Sequence, residues 1–193
     1  MERVAAFLFR HRGLVPVLPI AIALVWAEPR APWLGIGIAA MAAGEGVRLW
    51  GTAHLGMTAR SRTPQAGKLV TRGPYAHTRH PLYWGNLLIS AGFAAATGAG
   101  WPWFPGGVGI LFAALYSRHA LREEAALAAA HPEPYAAYRS RVPRWRWRAA
   151  PARVPDAGDP GEPSLRRAIR VEAETINAEV LLLAALWVRE RVL

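Results

Sequence analysis

The sequence predicts an all-α protein: a polytopic membrane helix bundle of four transmembrane helices, both termini cytoplasmic, with a cytoplasmic C-terminal helix. Three observations lead there. Of the 193 residues, 53% are hydrophobic, and mean hydropathy is positive. The apolar residues gather into four long runs. The basic residues fall in alternate connections between those runs.

The first run is GLVPVLPIAIALVWA at 13–27. It lacks an A-x-A cleavage pattern and is followed by Glu28-Pro29-Arg30, so it reads as a retained span rather than a removable signal. The second runs from Trp33 to Leu55 and is interrupted by Glu45 and Arg48. The third is LYWGNLLISAGFAAATGAG at 82–100, and the fourth begins at Trp101 and ends near Tyr116. About 20 helical residues cross the ~30 Å hydrocarbon layer, so the third and fourth runs are near the lower limit and the first needs flanking residues.

Charge orients these helices. Arg3, Arg10 and Arg12 precede the first run, and Arg60, Arg62, Lys68, Arg72 and Arg79 separate the second from the third. Seven arginines from Arg118 to Arg148 follow the fourth, whereas the other two connections hold only Arg30 and the turn WPW at 101–103. Lys68 is the only lysine, an Arg- and Ala-rich bias that suggests a GC-rich genome. Together these place the chain in the cytoplasmic (inner) membrane of a bacterium. A formal charge of +10 is compatible with nucleic acid, but arginines beside apolar runs are accounted for by the cytoplasmic face of a membrane, with membrane lipids and no nucleic acid as partners. The absence of cysteine excludes disulfides and thiolate metal sites, and no metal is expected.

Residues 73–85 read GPYAHTRHPLYWG, at the cytoplasmic end of the third run. Pro81 suits the first turn of a helix, which makes His80 the cap. A helix start at that place turns free N–H groups and the positive dipole end toward an anion. Leu82, Trp84 and Leu87 can face lipid, with Tyr83 and Asn86 nearer a partner helix. Gly85 lets a neighbouring backbone or a flat ligand come close. An interfacial anchor built of Arg, His, Trp and Tyr fits the same residues.

Two further blocks accompany it. One is VRLWGTAHLG at 47–56; the other is REE at 122–124 followed by HPEPYAAYRSRVPR at 131–144. With KLVTRGPYAHTRHPLYWG at 68–85, they resemble the isoprenylcysteine carboxyl methyltransferase-like family in order and spacing, over residues 33–147. These integral-membrane enzymes are related to the phospholipid N-methyltransferases and use S-adenosyl-L-methionine. The resemblance implies that Tyr75, His77, Arg79, His80, Tyr83, Gly85, Glu123 and Glu124 bind the cofactor. It implies that Arg141 orients the substrate as the catalytic residue. Arg48, Tyr138 and Arg141 are the expected substrate-facing residues, Tyr138 and Tyr135 fixing the segment that carries Arg141.

The residue chemistry agrees with such a site. Adjacent carboxylates at Glu123 and Glu124 favour a cationic or hydroxyl-rich partner, although a solvated Arg122-Glu123-Glu124 patch has the same composition. In-line methyl transfer needs positioning and exclusion of water. A carboxylate acceptor needs no base but does need a cation, best a bidentate arginine. An amine or thiol acceptor must lose a proton, with His77 or His54 the nearest candidates. Glu45 and Arg48, at i and i+3 within an apolar run, pair with each other or line a substrate tunnel. His119 is read as structural.

The chain divides into a membrane-embedded domain over 1–148, a flexible linker over 149–164 and a helix over 165–193. The linker is rich in Pro, Gly and Asp. Ser164 caps the helix, whose seam is Ile169, Ala173, Ile176, Val180, Leu183 and Trp187. The helix lies on the membrane face, or its seam packs on the enzyme or on a second copy, giving a homodimer. The leading function is therefore methyl transfer to a lipophilic acceptor, a carboxylate in preference to a phospholipid amine or a thiol. An NADPH-dependent membrane reductase and a non-enzymatic membrane scaffold are the other classes weighed.

Overall fold

The computed structural model describes residues 17–56, 68–155 and 161–192. Among them are six α-helices, one 3-10 turn and no strand. The helices are α1 (Val17–Val25), α2 (Trp33–Leu55), α3 (Pro81–Ala96), α4 (Trp103–Ala130), α5 (Pro132–Arg141) and α6 (Leu165–Val192), with the 3-10 turn at Gly73–Ala76. Arg3, Arg10, Arg12, Arg60, Arg62 and the start of the first run lie outside the described residues.

The apolar runs are helices, with altered lengths. The second is α2 as expected, but α3 has 16 residues, and α4 continues past Tyr116 to reach 28. No helix among the described residues is long and apolar enough to cross a membrane. Glu45 and Arg48 interrupt α2, and Arg118, Arg122, Glu123 and Glu124 fall inside α4 rather than beyond it.

Glycines bring α2 and α3 together. Gly37, Gly44 and Gly51 recur every seven residues on α2, and Gly85 and Gly92 do so on α3. A Cβ at Gly44 would lie 2.7 Å from the Gly85 carbonyl oxygen, and one at Gly92 would lie 2.8 Å from that of Gly37. The antiparallel backbones therefore touch along two turns, an approach that only small residues allow. Gly98, at φ +67°, lies against the Glu28 carbonyl, where the Glu28 N–H donates to Thr97 O at 2.7 Å. At the same end Trp33 stacks on Trp101, their ring centroids 3.8 Å apart.

The C-terminal helix lies along α2 in the opposite direction. Ser164 N donates to Ala53 O at one end, and Arg189 donates to the Leu24 and Val25 carbonyls that close α1 at the other. Ser164 caps the helix as expected, its Oγ accepting from Arg167 N at 3.3 Å. The seam is displaced by one residue from the expected one. Ala168, Val171, Glu172 and Leu186 are buried, with Leu182 and Leu183 against the Ala23, Met41 and Phe93 core. Ile169, Val180 and Trp187 are about half exposed. The shift has a polar cause: Glu172 must face α2 to meet Arg48 and Thr52. A small apolar cavity of about 70 Å³ lies in the same core, lined by Ala23, Met41, Ile89, Phe93, Phe112 and Leu182.

The segment after α5 is held to the 3-10 turn. Arg79 N donates to Pro143 O (3.0 Å), Arg148 N to His77 O (3.0 Å), and Ala152 N to Ala76 O (2.9 Å). Thr71 Oγ1 donates to Val154 O at 2.6 Å. Ala152 and Val154 also cover the core of Leu69, Tyr135, Tyr138 and Val142. Residues 142–155 form a strap anchored at these points, of which 149–155 were read from composition as linker; residues 156–160 lie outside the described residues.

The glycine seam yields a controlled test. Gly44→Ala forces a Cβ onto the Gly85 carbonyl, whereas Gly46→Ala on the same helix meets nothing within 4 Å. In thermal or denaturant unfolding of the detergent-solubilised chain, the first is expected to destabilise by about 1–3 kcal/mol. The second should stabilise by roughly 0.5–1 kcal/mol.

Candidate functional site

The site forms where α3 begins. His80 occupies the cap position of α3 with Pro81 next, as expected, and no side chain caps the helix. The 3-10 turn precedes it, and Gly73 at its head has φ +60° with the His54 ring packed against it. Successive residues on a helix point about 100° apart, so Glu123 and Glu124 on α4 turn to different partners.

Glu124 is buried and fully engaged. Arg144 holds it with two parallel hydrogen bonds, Nε to Oε1 at 2.8 Å and Nη2 to Oε2 at 2.7 Å. Arg79 Nη1 lies 2.8 Å from Oε2, and His80 Nε2 donates to Oε1 at 3.0 Å. Burial alone would raise its pKa, but the hydrogen bonds from His80 and Arg144 and the Arg79 charge win, holding it well below the usual carboxylate range.

Glu123 is the freer of the two, its side chain 43% exposed. The Tyr83 hydroxyl donates to Oε1 at 2.6 Å, and His80 Nδ1 stands 3.5 Å from Oε2. His80 thus lies between both carboxylates. Its burial disfavours the imidazolium, but the hydrogen bonds to Glu123 and Glu124 outweigh it and raise its pKa.

Flat rings extend from this point. His80 stacks on Tyr83 (centroids 5.5 Å, 20° between planes), and Tyr83 stacks on Tyr116 (4.8 Å, 13°). Trp145 leans on His80 at 5.6 Å. Trp84, expected toward lipid, donates its indole N–H to Trp145 O at 2.7 Å and ties α3 to the strap. Leu87 packs into the core of Ala94, Val108 and Phe112.

A second polar layer lies deeper. Arg48 Nη1 donates to Asn86 Oδ1 and Nη2 to Glu172 Oε2. Glu45 is 3.6 Å from Arg48 Nε, so the i,i+3 pair exists but is not the main one. Glu172, fully buried on α6, also accepts from Thr52 (2.6 Å) and Thr175 (3.2 Å). Asn86 is thus near a partner helix as expected, through Arg48.

The expected residues are not all gathered. Tyr75, Arg79, His80, Tyr83, Glu123 and Glu124 converge. Tyr138 is buried and donates its hydroxyl to Tyr75 O at 2.8 Å, so it positions that turn. His77 is outside the group, its Nδ1 donating to Arg148 O at 2.7 Å beside Trp50 and Trp147. The space at Gly85 is filled by the Arg48 stem and the Gly44 carbonyl. Arg141 is exposed on α5 and donates to Arg153 O at 2.8 Å. Arg144, read only as one arginine of a belt, is the one that reaches Glu124. Its neighbours Arg139, Arg141, Arg146 and Arg148 give the sequence no means of telling it apart. Glu172 left one signal: a buried Arg48 demands a carboxylate from somewhere.

These contacts carry a stability prediction. Glu124→Gln leaves two guanidiniums against a neutral amide and is expected to cost about 3–5 kcal/mol in unfolding, against less than about 0.5 kcal/mol for the surface change Arg141→Gln. The raised His80 pKa sets a pH slope as well. Its contribution is fully present below the unfolded value of 6.5 and is lost as pH rises through the higher folded value. Melting midpoints compared between pH 5.5 and 9 should fall in the wild type and flatten in His80→Gln.

No curated protein and no solved structure matches the chain. Residues 33–131, just over half of it, match the phospholipid methyltransferase family. That region contains α2, α3, all of α4 and the Glu123–Glu124 pair, and the chain belongs to the phospholipid methyltransferase family.

Proposed function

We propose that the protein is an S-adenosyl-L-methionine-dependent methyltransferase acting on a lipophilic acceptor at the cytoplasmic face of a bacterial inner membrane. Family membership supports the reaction class. The observation that carries the cofactor assignment is Glu123: a half-exposed carboxylate held by the Tyr83 hydroxyl and His80, beside a shelf of stacked rings. A carboxylate of that kind suits ribose hydroxyls or an ammonium, and ring faces suit an adenine. The residues present therefore fit the cofactor, with Tyr83 and His80 as the shelf and Glu123 as the polar anchor.

When bound, the cofactor supplies a methyl group activated by a sulfonium, whose S–C bond breaks as the acceptor lone pair takes the carbon, leaving a neutral thioether. The work of this chain is to bind, orient and exclude water. His80 holds Glu123 and Glu124 apart, and the strap closes over α3 through Arg144 and Trp145. For a carboxylate acceptor, Arg141 is the proposed orienting cation, after exchanging its bond to the Arg153 carbonyl.

Membrane residence is part of the same reading. Large apolar side chains are exposed on four helices, among them Val25, Ile36, Trp103, Ile110, Val180 and Leu181. A belt of that extent marks a lipid or protein interface. The basic segments after α2 and α4 support a cytoplasmic position for the Glu123 end, and the apolar cavity lined by Met41, Phe93 and Leu182 is proposed to take part of the acceptor's hydrocarbon.

Calorimetric titration of the detergent-purified chain with S-adenosylhomocysteine tests this, with NADPH in parallel. Micromolar binding of the former is expected, weakened about tenfold or more in Glu123→Gln by loss of a charged hydrogen bond. Binding of NADPH alone would transfer the chain to the reductases.

A further inference from the structure

The strap after α5 has two sides. Arg144 and Trp145 turn inward, the first onto Glu124 and the second against the His80 ring. The next three residues, Arg146, Trp147 and Arg148, are exposed. Trp147 lies beside Trp50 of α2, their ring centroids 6.5 Å apart with 24° between planes, and the His77 ring is 6.2 Å from Trp147. The two indoles remain 40% and 42% exposed, so this is an aromatic surface rather than a core. His77 and Arg148 exchange two hydrogen bonds, Arg148 N donating to His77 O at 3.0 Å and His77 Nδ1 to Arg148 O at 2.7 Å. Whatever holds the outer side of the strap therefore also holds the turn that leads into α3.

The charge on that side is of one sign. Residues 134–155 contain six arginines and no Asp or Glu. Arg144 is spent on Glu124, and the other five, Arg139 and Arg141 of α5 and Arg146, Arg148 and Arg153 of the strap, are exposed. Two of them brace the segment: Arg148 donates to Arg141 O at 2.8 Å and to Ala150 O at 3.2 Å, and Arg141 to Arg153 O at 2.8 Å. Bonds to carbonyls satisfy donors and leave the charge in place. Such a surface is complementary to a layer of anions, and the guanidinium fork matches phosphate oxygens best.

The depth of this surface is set by α2. Trp33 near its start stacks on Trp101, and Trp50 follows seventeen residues later on the same helix. At 1.5 Å per residue the two levels are about 25 Å apart, close to the thickness of a hydrocarbon layer. Indoles collect at the two edges of that layer, and Ile36 and Ile38 between them are exposed. A nucleic-acid surface would use arginines and rings as well, but it would not require an exposed apolar helix leading up to them.

We propose that the outer side of the strap docks on anionic lipid headgroups, and that headgroup charge thereby sets how firmly the strap covers the start of α3. Phosphates meet Arg139, Arg146 and Arg153, while Trp50 and Trp147 lie at the edge of the hydrocarbon. This rests on the membrane residence proposed above and is independent of the reaction.

The test places the full chain in bilayer discs of phosphatidylcholine, with and without one third of phosphatidylglycerol, and follows amide hydrogen exchange over 142–155. Two reporters lie there, the Arg148 and Ala152 N–H groups that donate to His77 and Ala76. Exchange is expected to slow at least about fivefold with the anionic lipid, the scale of one or two arginines at such a surface, and high salt should remove the gain. The double variant Arg139→Gln/Arg146→Gln, at two exposed positions, should lose most of the gain while its exchange in phosphatidylcholine alone stays within about twofold of wild type. Equal exchange in the two discs, or the full gain retained in the variant, overturns the proposal. The same slowing produced by inorganic phosphate or a short RNA in phosphatidylcholine discs also overturns it, since the surface would then take polyanions in general. Failure of membrane residence looks different: the chain then does not co-elute with discs of either composition.

Discussion

The arrangement depends on one buried carboxylate. Glu124 is the place where the start of α3, the last third of α4 and the strap after α5 are joined, through Arg79, His80 and Arg144. An ion pair of this kind adds little net stability by itself, because removing its charges from water costs about as much as their attraction returns. Its effect is on specificity of structure. Once the guanidiniums and the imidazole are buried, only a carboxylate at that point satisfies them all. The strap cannot shift by one residue without stranding Arg144, and the α3 cap cannot unwind without stranding Arg79.

Commitment of one carboxylate frees the other. A dipeptide of two glutamates in a loop would share solvent and partners. On a helix the two side chains diverge, and the imidazole of His80 is placed between them. Glu124 is spent on two guanidiniums and an imidazole, while Glu123 keeps a half-exposed face and a single hydroxyl donor. The division follows from the extension of α4 beyond the apolar run, and no property of either glutamate alone would give it.

Much of the helical frame was legible, because apolar runs and a proline after a capping residue are local signals. The second run matches α2 at both ends, and Pro81 and Ser164 mark the starts of α3 and α6. Helix ends set by tertiary contact were not legible. Apolar periodicity stops at Tyr116, while α4 continues because Glu123 and Glu124 are satisfied by other segments. The seam of α6 was misplaced by one residue because a rule that counts apolar residues treats Glu172 as outward. At the site, the resemblance drew together the residues that converge, but composition could not separate Arg144 from its neighbours. Pro- and Gly-rich sequence also concealed the strap, whose order comes from backbone hydrogen bonds that any sequence can make.

Buried charge explains why α6 belongs to the bundle. Arg48 lies in an apolar stretch of α2, where an isolated guanidinium would be costly, and Glu45 one turn earlier reaches it only at 3.6 Å. The carboxylate that completes Arg48 comes from Glu172, on a helix that follows the family region by more than thirty residues. The same guanidinium holds Asn86 of α3, so α2, α3 and α6 meet at Arg48. The tail helix is therefore tied to both helices of the glycine seam through one buried charge. Ser164 and the apolar seam of the tail predict that helix, and the buried charge of Arg48 in α2 explains which face of it turns inward.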